Sequence, residues 1–398
     1  MTMTRPFRRR VLFLPGFDPM PPRRYRELYR REGHRQAQIC GYGLMLERSA
    51  MDTGFSWRIR SRFPDGKAEA QIEVLVWSDI VLASMRRGIL ATYGQMLRTA
   101  WIFGASGALG RLMRLRRGPV LAALYPVAML VLQLACAILI GLLAFRTAAG
   151  ITDMPWLGAI LGLIAAWAVL VLAERQDHRL FAHYLMHDYA FTASRHGAYP
   201  PDLDDRLIRF ADRLADAMRS DLDEVLVVGH SSGAYLAVSM VADLIRRGLP
   251  PDGPALALLT LGQAVPMASF LPRAQRLRAD LACLSEHPDL FWLDVSAPGD
   301  PCSFALCDPV AVTAVAGPGQ RWPLVLSAAF SRTLSPGQRR ALRWRWFRLH
   351  LQYLCAFEQP GDYDYFAITA GPRRLADRFA GRTHSPGRIA APIGPGLP

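Results

Sequence analysis

Short apolar runs alternate along this chain with longer segments whose apolar residues recur every three to four positions, the pattern of an α/β fold. The strand-like runs are Arg10–Leu14, Gln71–Trp77, Glu224–Val228, Ala255–Leu261, Leu290–Ser296 and Pro323–Ser327. Between them, Asp202–Arg219 sets Leu203, Leu207, Phe210, Leu214 and Met218 on one helical face, and Ser232–Arg247 reads as another helix.

Two stretches break the alternation. From Gly118 to Phe145 no residue is charged, a run of about 28 that is long enough to cross a ~30 Å hydrocarbon core with tilt. Met154 to Ala173 is a second uncharged run of about 20. The pattern therefore predicts a two-helix transmembrane hairpin, with spans at 119–145 and 154–173 and a turn at Arg146–Asp153. Just upstream, Ile80–Phe103 carries Val81, Leu82, Met85, Ile89, Leu90, Met96, Leu97 and Trp101 at roughly helical spacing. It fits either an interfacial helix in the headgroup plane or a core-facing helix. The last segment, 381–398, is rich in proline and glycine, with Pro386, Pro392, Pro395 and Pro398, and is expected to be a disordered tail.

Composition sharpens this picture. The chain of 398 residues is 51% hydrophobic, with mean hydropathy +0.13, and the excess sits in those two runs. The formal net charge is +14, almost all of it arginine, with Lys67 the only lysine. No zinc-finger spacing, RNA-binding aromatic motif or basic zipper accompanies the charge, which argues against nucleic acid and leaves anionic lipid headgroups as the expected partner. Arg111, Arg114, Arg116 and Arg117 precede the first run and Arg175 and Arg179 follow the second, against Arg146 alone between them. By the positive-inside rule both flanks are expected on the cytoplasmic face. The six cysteines form no CxxC pair, and Cys136 lies in an apolar run, so free thiols in a reducing compartment are expected. The apolar stretch Val11–Leu14 stops at Pro15-Gly16 and is too short for a signal peptide.

The candidate chemistry lies at Gly229-His230-Ser231-Ser232-Gly233. A GxSxG pentapeptide is weak by itself, but here a buried-strand pattern runs straight into it and a helix pattern runs out. Strand, sharp turn and helix are what a nucleophile elbow requires. A serine hydroxyl needs a histidine base and an orienting carboxylate. The carboxylate is expected just past a strand, which selects Asp300 in Ala297-Pro298-Gly299-Asp300, with Asp294 and Asp308 as alternatives. Of the later histidines, His287 precedes the acid strand and His384 lies in the proposed tail, leaving His350 as the expected base. His230 should point away from the nucleophile. The oxyanion hole would be formed by the backbone N–H groups of Ser232 and of Phe17, the latter in the glycine-containing loop after the first strand.

The Pro-Gly-Phe loop, the GHSSG elbow, the Ala-Pro-Gly-Asp turn and the late histidine, in that order, resemble the α/β-hydrolase superfamily of lipases and esterases. The resemblance covers roughly residues 8–78 and 175–380, with the elbow its only highly specific motif. It implies a mostly parallel sheet flanked by helices and cofactor-free ester hydrolysis. The expected layout is a hydrolase domain in two parts, 8–78 and 175–380, interrupted by a membrane insertion at 79–174. The expected activity is cleavage of acyl esters of lipid or amphiphilic substrates. A catalytically inactive membrane scaffold, or an acyltransferase using the same residues, are the competing expectations. The basic N-terminal residues Arg5, Arg8, Arg9, Arg10, Arg23, Arg24 and Arg26 are expected near anionic headgroups.

Overall fold

The computed structural model describes residues 5–48 and 55–397. Its strands are β1 (Phe7–Leu14), β2 (Gly43–Arg48), β3 (Phe55–Phe63), β4 (Gly66–Val74), β5 (Glu224–His230), β6 (Ala255–Leu261), β7 (Leu290–Ser296) and β8 (Leu324–Ser327). They form one sheet in the order β2-β3-β4-β1-β5-β6-β7-β8. Only β3 runs against its neighbours; all other pairings are parallel. The protein is thus α/β with a mostly parallel sheet, and each of the six expected runs falls on a strand. β2 and β3 were not expected. In β3, Trp57 and Ile59 point into the core while Arg58 and Arg60 alternate with them, a period-two signal diluted by arginine.

The helices used below are α1 (Arg23–Cys40), α2 (Ser78–Met85), α3 (Ile89–Ala105), α4 (Ala108–Leu115), α5 (Arg117–Thr152), α6 (Pro155–Arg175), α7 (Asp177–Leu180), α8 (Ala182–Ala193), α9 (Pro201–Met218), α10 (Gly233–Arg247), α11 (Val265–Ser269) and α12 (Gln275–Glu286). Alternation along β1 divides the core. Leu12 and Leu14 join Val225 and Val227 under α9, α10 and α12. Val11 and Phe13 join Leu226 and Val228 beneath Tyr25 and Tyr29 of α1 and the aromatic residues Tyr353, Phe357 and Phe366. Three layers result, each face of the sheet covered by side chains from helices or from the chain beyond β8.

Between β4 and α7 the chain leaves the sheet as α2–α6. α5 and α6 are long and apolar enough to cross a membrane and pair as a hairpin. The turn is tighter than expected: α5 continues through Arg146 to Thr152, leaving only Asp153 and Met154 between the helices. The alanines after Arg146 favour helix, and the Thr152 hydroxyl returns to the Ala148 carbonyl at 2.8 Å. The expected continuous helix 80–103 breaks at Arg86-Arg87-Gly88. α3 buries Ile89, Met96, Ile102 and Phe103, yet leaves Leu90, Leu97 and Trp101 exposed at 72%, 67% and 74%.

One expectation needs correction. The segment 381–397 is bonded to the fold, His384 and Ser385 at the β8 edge and Ile389 to Gly396 against residues 306–313; Pro398 lies outside the described residues. Ser385 N–H donates to Val325 O and Ile389 N–H to Leu306 O, at 2.9 and 2.8 Å. His384 Nδ1 accepts from Val325 N–H. An edge strand presents unpaired backbone groups, and an extended proline-rich segment can satisfy them without structure of its own. The basic N-terminal residues pair with carboxylates, Arg5 and Arg8 with Asp221, Arg9 with the buried Glu224, Arg10 with Glu73 and Arg24 with Asp18, while Arg5, Arg8 and Arg24 stay half-exposed. Asp221 and Asp223, in the turn entering β5, lie beside β1 and neutralise Arg5 and Arg8.

Candidate active site

The site is assembled at the ends of the central strands. β5 runs directly into Ser231, whose φ of +58° lies in the left-handed region that side-chain-bearing residues avoid. The strain is held by hydrogen bonds on both sides: Ser231 N–H donates to Leu261 O at 2.9 Å, and Ser231 O accepts from Ala234 N–H at 3.1 Å. A Cβ on Gly229 would stand 2.6 Å from Gly233 O, and one on Gly233 would strike the carbonyls of Leu14 and Pro15. Glycine at both positions lets β5, α10 and the β1 loop converge on one point. Ser231 is half-exposed at the N-terminus of α10, while Ser232 behind it is buried.

Asp300 follows β7 through a turn closed by Asp300 N–H on Ala297 O. Its Oδ2 accepts from His350 Nδ1–H at 2.7 Å and from the Tyr353 hydroxyl at 3.0 Å, and its Oδ1 accepts from Cys302 N–H at 2.9 Å. Both Asp300 and His350 are buried. Burial alone would raise the Asp300 pKa; the neighbouring His350 and these donors outweigh it and hold the carboxyl below its ordinary value. The alternatives are committed elsewhere. Asp294 points into the sheet, accepts from Thr260 Oγ1 at 2.6 Å, and is pushed up to about 8 by burial. Asp308 caps the turn Pro309–Val312 and binds Gln320 and Arg388.

With Nδ1–H donated to Asp300, His350 presents Nε2 as an acceptor. That nitrogen is buried without a partner, and among the described residues Ser231 Oγ has none either. The acid–histidine link is therefore made, and the serine–histidine link is open in this state. His230 packs behind the base with ring centroids 4.7 Å apart, its Nε2 2.9 Å from His350 O. Burial first, then the charge of His350, pushes His230 down to about 3, so it stays neutral and holds the His350 backbone. His287 sits on the loop before β7 with its Nδ1 accepting from Asp289 N–H.

The loop after β1, expected to supply an oxyanion donor, differs from expectation. Phe17 N–H is not open: it donates to Ser232 Oγ at 2.8 Å. A Cβ on Gly16 would lie 3.0 Å from Ser231 Cβ and 3.3 Å from Ser232 Oγ. The loop is so close to the elbow that the neighbouring hydroxyl satisfies a buried donor that could not be left unpaired. The Ser232 N–H itself has no protein acceptor among the described residues.

Four further residues at the site were not anticipated. Tyr353 holds Asp300, and its position three residues after His350 was the available signal, since such neighbours share a helical face. The Tyr184 hydroxyl of α8 donates to Phe17 O, and its ring packs 5.6 Å from that of Phe347, in the helical turn Trp346–His350 that carries the base. Asp188 of α8 is pushed up to about 7 by burial and feels the charge of His350. The thiol of Cys302 completes the one group of three potential metal ligands among the described residues, with Asp300 and His350, all within 4.8 Å of one another. Two of the three are already bonded to each other. No family model, curated protein or solved structure matches this chain.

Proposed function

We propose that the protein is a membrane-anchored serine hydrolase that cleaves acyl esters through an acyl-enzyme on Ser231. The observation that carries this reading is the buried His350–Asp300 hydrogen bond beside a strained serine at a strand-to-helix turn. Ser231 Oγ attacks the ester carbonyl while His350 Nε2 takes its proton, and Asp300 with Tyr353 stabilises the imidazolium. The oxyanion is met by the Ser232 N–H and, once the Ser232 hydroxyl turns away, by Phe17 N–H. His350 then protonates the leaving alcohol, and water, deprotonated by His350, releases the acid. The α5–α6 hairpin anchors the domain, and the arginines on its flanks favour the cytoplasmic face.

Labelling by a fluorophosphonate probe tests this. The full-length protein should label, Ser231→Ala should not, and His350→Ala and Asp300→Asn should label roughly 10²-fold more slowly or worse. Undiminished labelling of Ser231→Ala would sink the proposal, and an unlabelled wild type would favour the inactive scaffold.

A further inference from the structure

The helical hairpin also supplies a depth scale. Gly141 abuts Gly162 and Ala166, Gly158 abuts Phe145 and Ala149, and Ala137 packs with Leu170. Continued at that register, Arg175 at the end of α6 is level with about residue 130 of α5. The uncharged part of α6 matches a hydrocarbon core of about 30 Å, so Glu174 and Arg175 mark the boundary between acyl chains and headgroups. The first turns of α5 lie beyond that plane, where Val120 packs on Ile102, Phe103 and Leu112.

Two helices can be read on the same scale. α3 runs antiparallel to α5, with Ile89 in the cluster of Ala137 and Leu170, Tyr93 OH donating to Leu130 O at 3.0 Å, and Ile102 beside Val120. Its exposed residues straddle the boundary, Leu90 on the hydrocarbon side, Leu97 near the plane and Trp101 on the headgroup side. Arg86 and Arg87, exposed just before α3, have long stems that let each guanidinium rise toward the headgroups. α8 packs one face on the same stretch of α5: His183 Nε2 is 3.3 Å from Gln133 Oε1, and Met186 and Ala190 meet Leu130. From α8, Tyr184 binds the Phe17 carbonyl, and Phe191 packs 5.5 Å from the Phe17 ring. The site therefore lies level with Tyr125–Gln133, at and just outside the plane of Arg175: Trp346, in the turn that carries His350, packs 5.7 Å from Tyr125, and Arg116 at the start of α5 reaches back to Pro298 O beside Asp300.

That is the depth at which the ester linkages of a bilayer lipid lie. We infer that the substrate is a bilayer-resident acyl lipid, hydrolysed in place at that depth, with α3 embedded beside α5 and α6 as a third membrane-contacting helix. This rests on the serine-hydrolase reading above and adds to it where the substrate resides. A soluble ester needs no such placement.

The test uses the full chain reconstituted in vesicles of mixed phosphatidylcholine, phosphatidylethanolamine and phosphatidylglycerol. Fatty-acid release from vesicle lipid and hydrolysis of soluble p-nitrophenyl butyrate are measured side by side. The double variant Leu90→Glu, Leu97→Glu should lose about 10-fold or more on vesicle lipid and stay within about twofold on the soluble ester. Equal losses on both, no loss on either, or no release from vesicle lipid by an enzyme active on the soluble ester would each overturn the inference. A second measurement needs no disruptive variant: the fluorescence lost in Trp101→Phe should be quenched more by lipids brominated near the glycerol than near the chain end. Absence of quenching would remove α3 from the membrane. If the wild type hydrolyses the soluble ester no faster than Ser231→Ala, the hydrolase reading itself fails and takes the substrate claim with it, while the Trp101 result still decides where α3 lies.

Discussion

Asp294 and Asp300 are both buried at the end of β7, yet their surroundings push them in opposite directions. Asp300 gathers His350, Tyr353 and the Cys302 N–H, and stays ionised; Asp294 has only the Thr260 hydroxyl and holds its proton up to about pH 8. The consequences for stability have opposite signs. Asp300, lowered, contributes stability above the ordinary carboxylate pKa near 4 and loses it as pH falls through its folded value. Asp294, raised, binds a proton when folded but not when unfolded between about pH 4 and 8, so its contribution falls as pH rises through that window, by at most about 1.4 kcal/mol per unit. In thermal unfolding, Asp294→Asn should gain on the wild type steadily from pH 5 to pH 8, and keep most of the ester hydrolysis that Asp300→Asn abolishes. A parallel pair of pH curves would refute the Asp294 part. An inactive Asp294→Asn beside an active Asp300→Asn would move the acid.

At the scale of elements, what could be read in advance depended on how local the signal was. The elbow was legible because strand, glycines, serine and helix are contiguous, and each is dictated by its neighbours. β3 was missed although its alternation is present, because arginine fills its outward positions. The hairpin was legible from its lack of charge, but its register was not: Gly141, Gly158 and Gly162 set that by letting the two backbones touch. A Cβ on Gly162 would stand 2.7 Å from Gly141 O. Gly162→Leu should therefore separate α5 from α6 and lower stability in detergent by about 1–3 kcal/mol. Activity should fall with it, because α5 supports α8 and α8 touches the oxyanion loop. Unchanged melting would mean that the helices do not pack as described.

For the whole molecule, the first strand of the chain sits in the middle of the sheet, beside β5, and this brings the Phe17 loop to Ser231 across more than half the sequence. The insertion leaves from β4 and returns through α8, so the element that carries the two membrane-length helices also borders the site. The chain should accordingly resist extraction by carbonate or high salt. Reporters fused after residue 180 should lie in the cytoplasm, and reporters at Asp153–Met154 on the opposite side. Release by salt alone would reject the two-span arrangement.

The sequence by itself determined the elements: apolar periodicity named the parallel strands and main helices, absence of charge marked the hairpin, and contiguous chemistry exposed Ser231. It also offered candidates for an acid and a base, Asp300 with Asp294 and Asp308 as alternatives and His350, because chain order and strand ends limit where such residues can sit. Only the tertiary structure decided which carboxylate receives the imidazole N–H, that Tyr353 and Tyr184 serve the site, that Phe17 N–H is held by Ser232 Oγ, and that His384 and Ser385 close the β8 edge. These are contacts between segments far apart in the chain, made because buried polar groups must find partners wherever packing brings them. No pattern along the chain records which groups will meet.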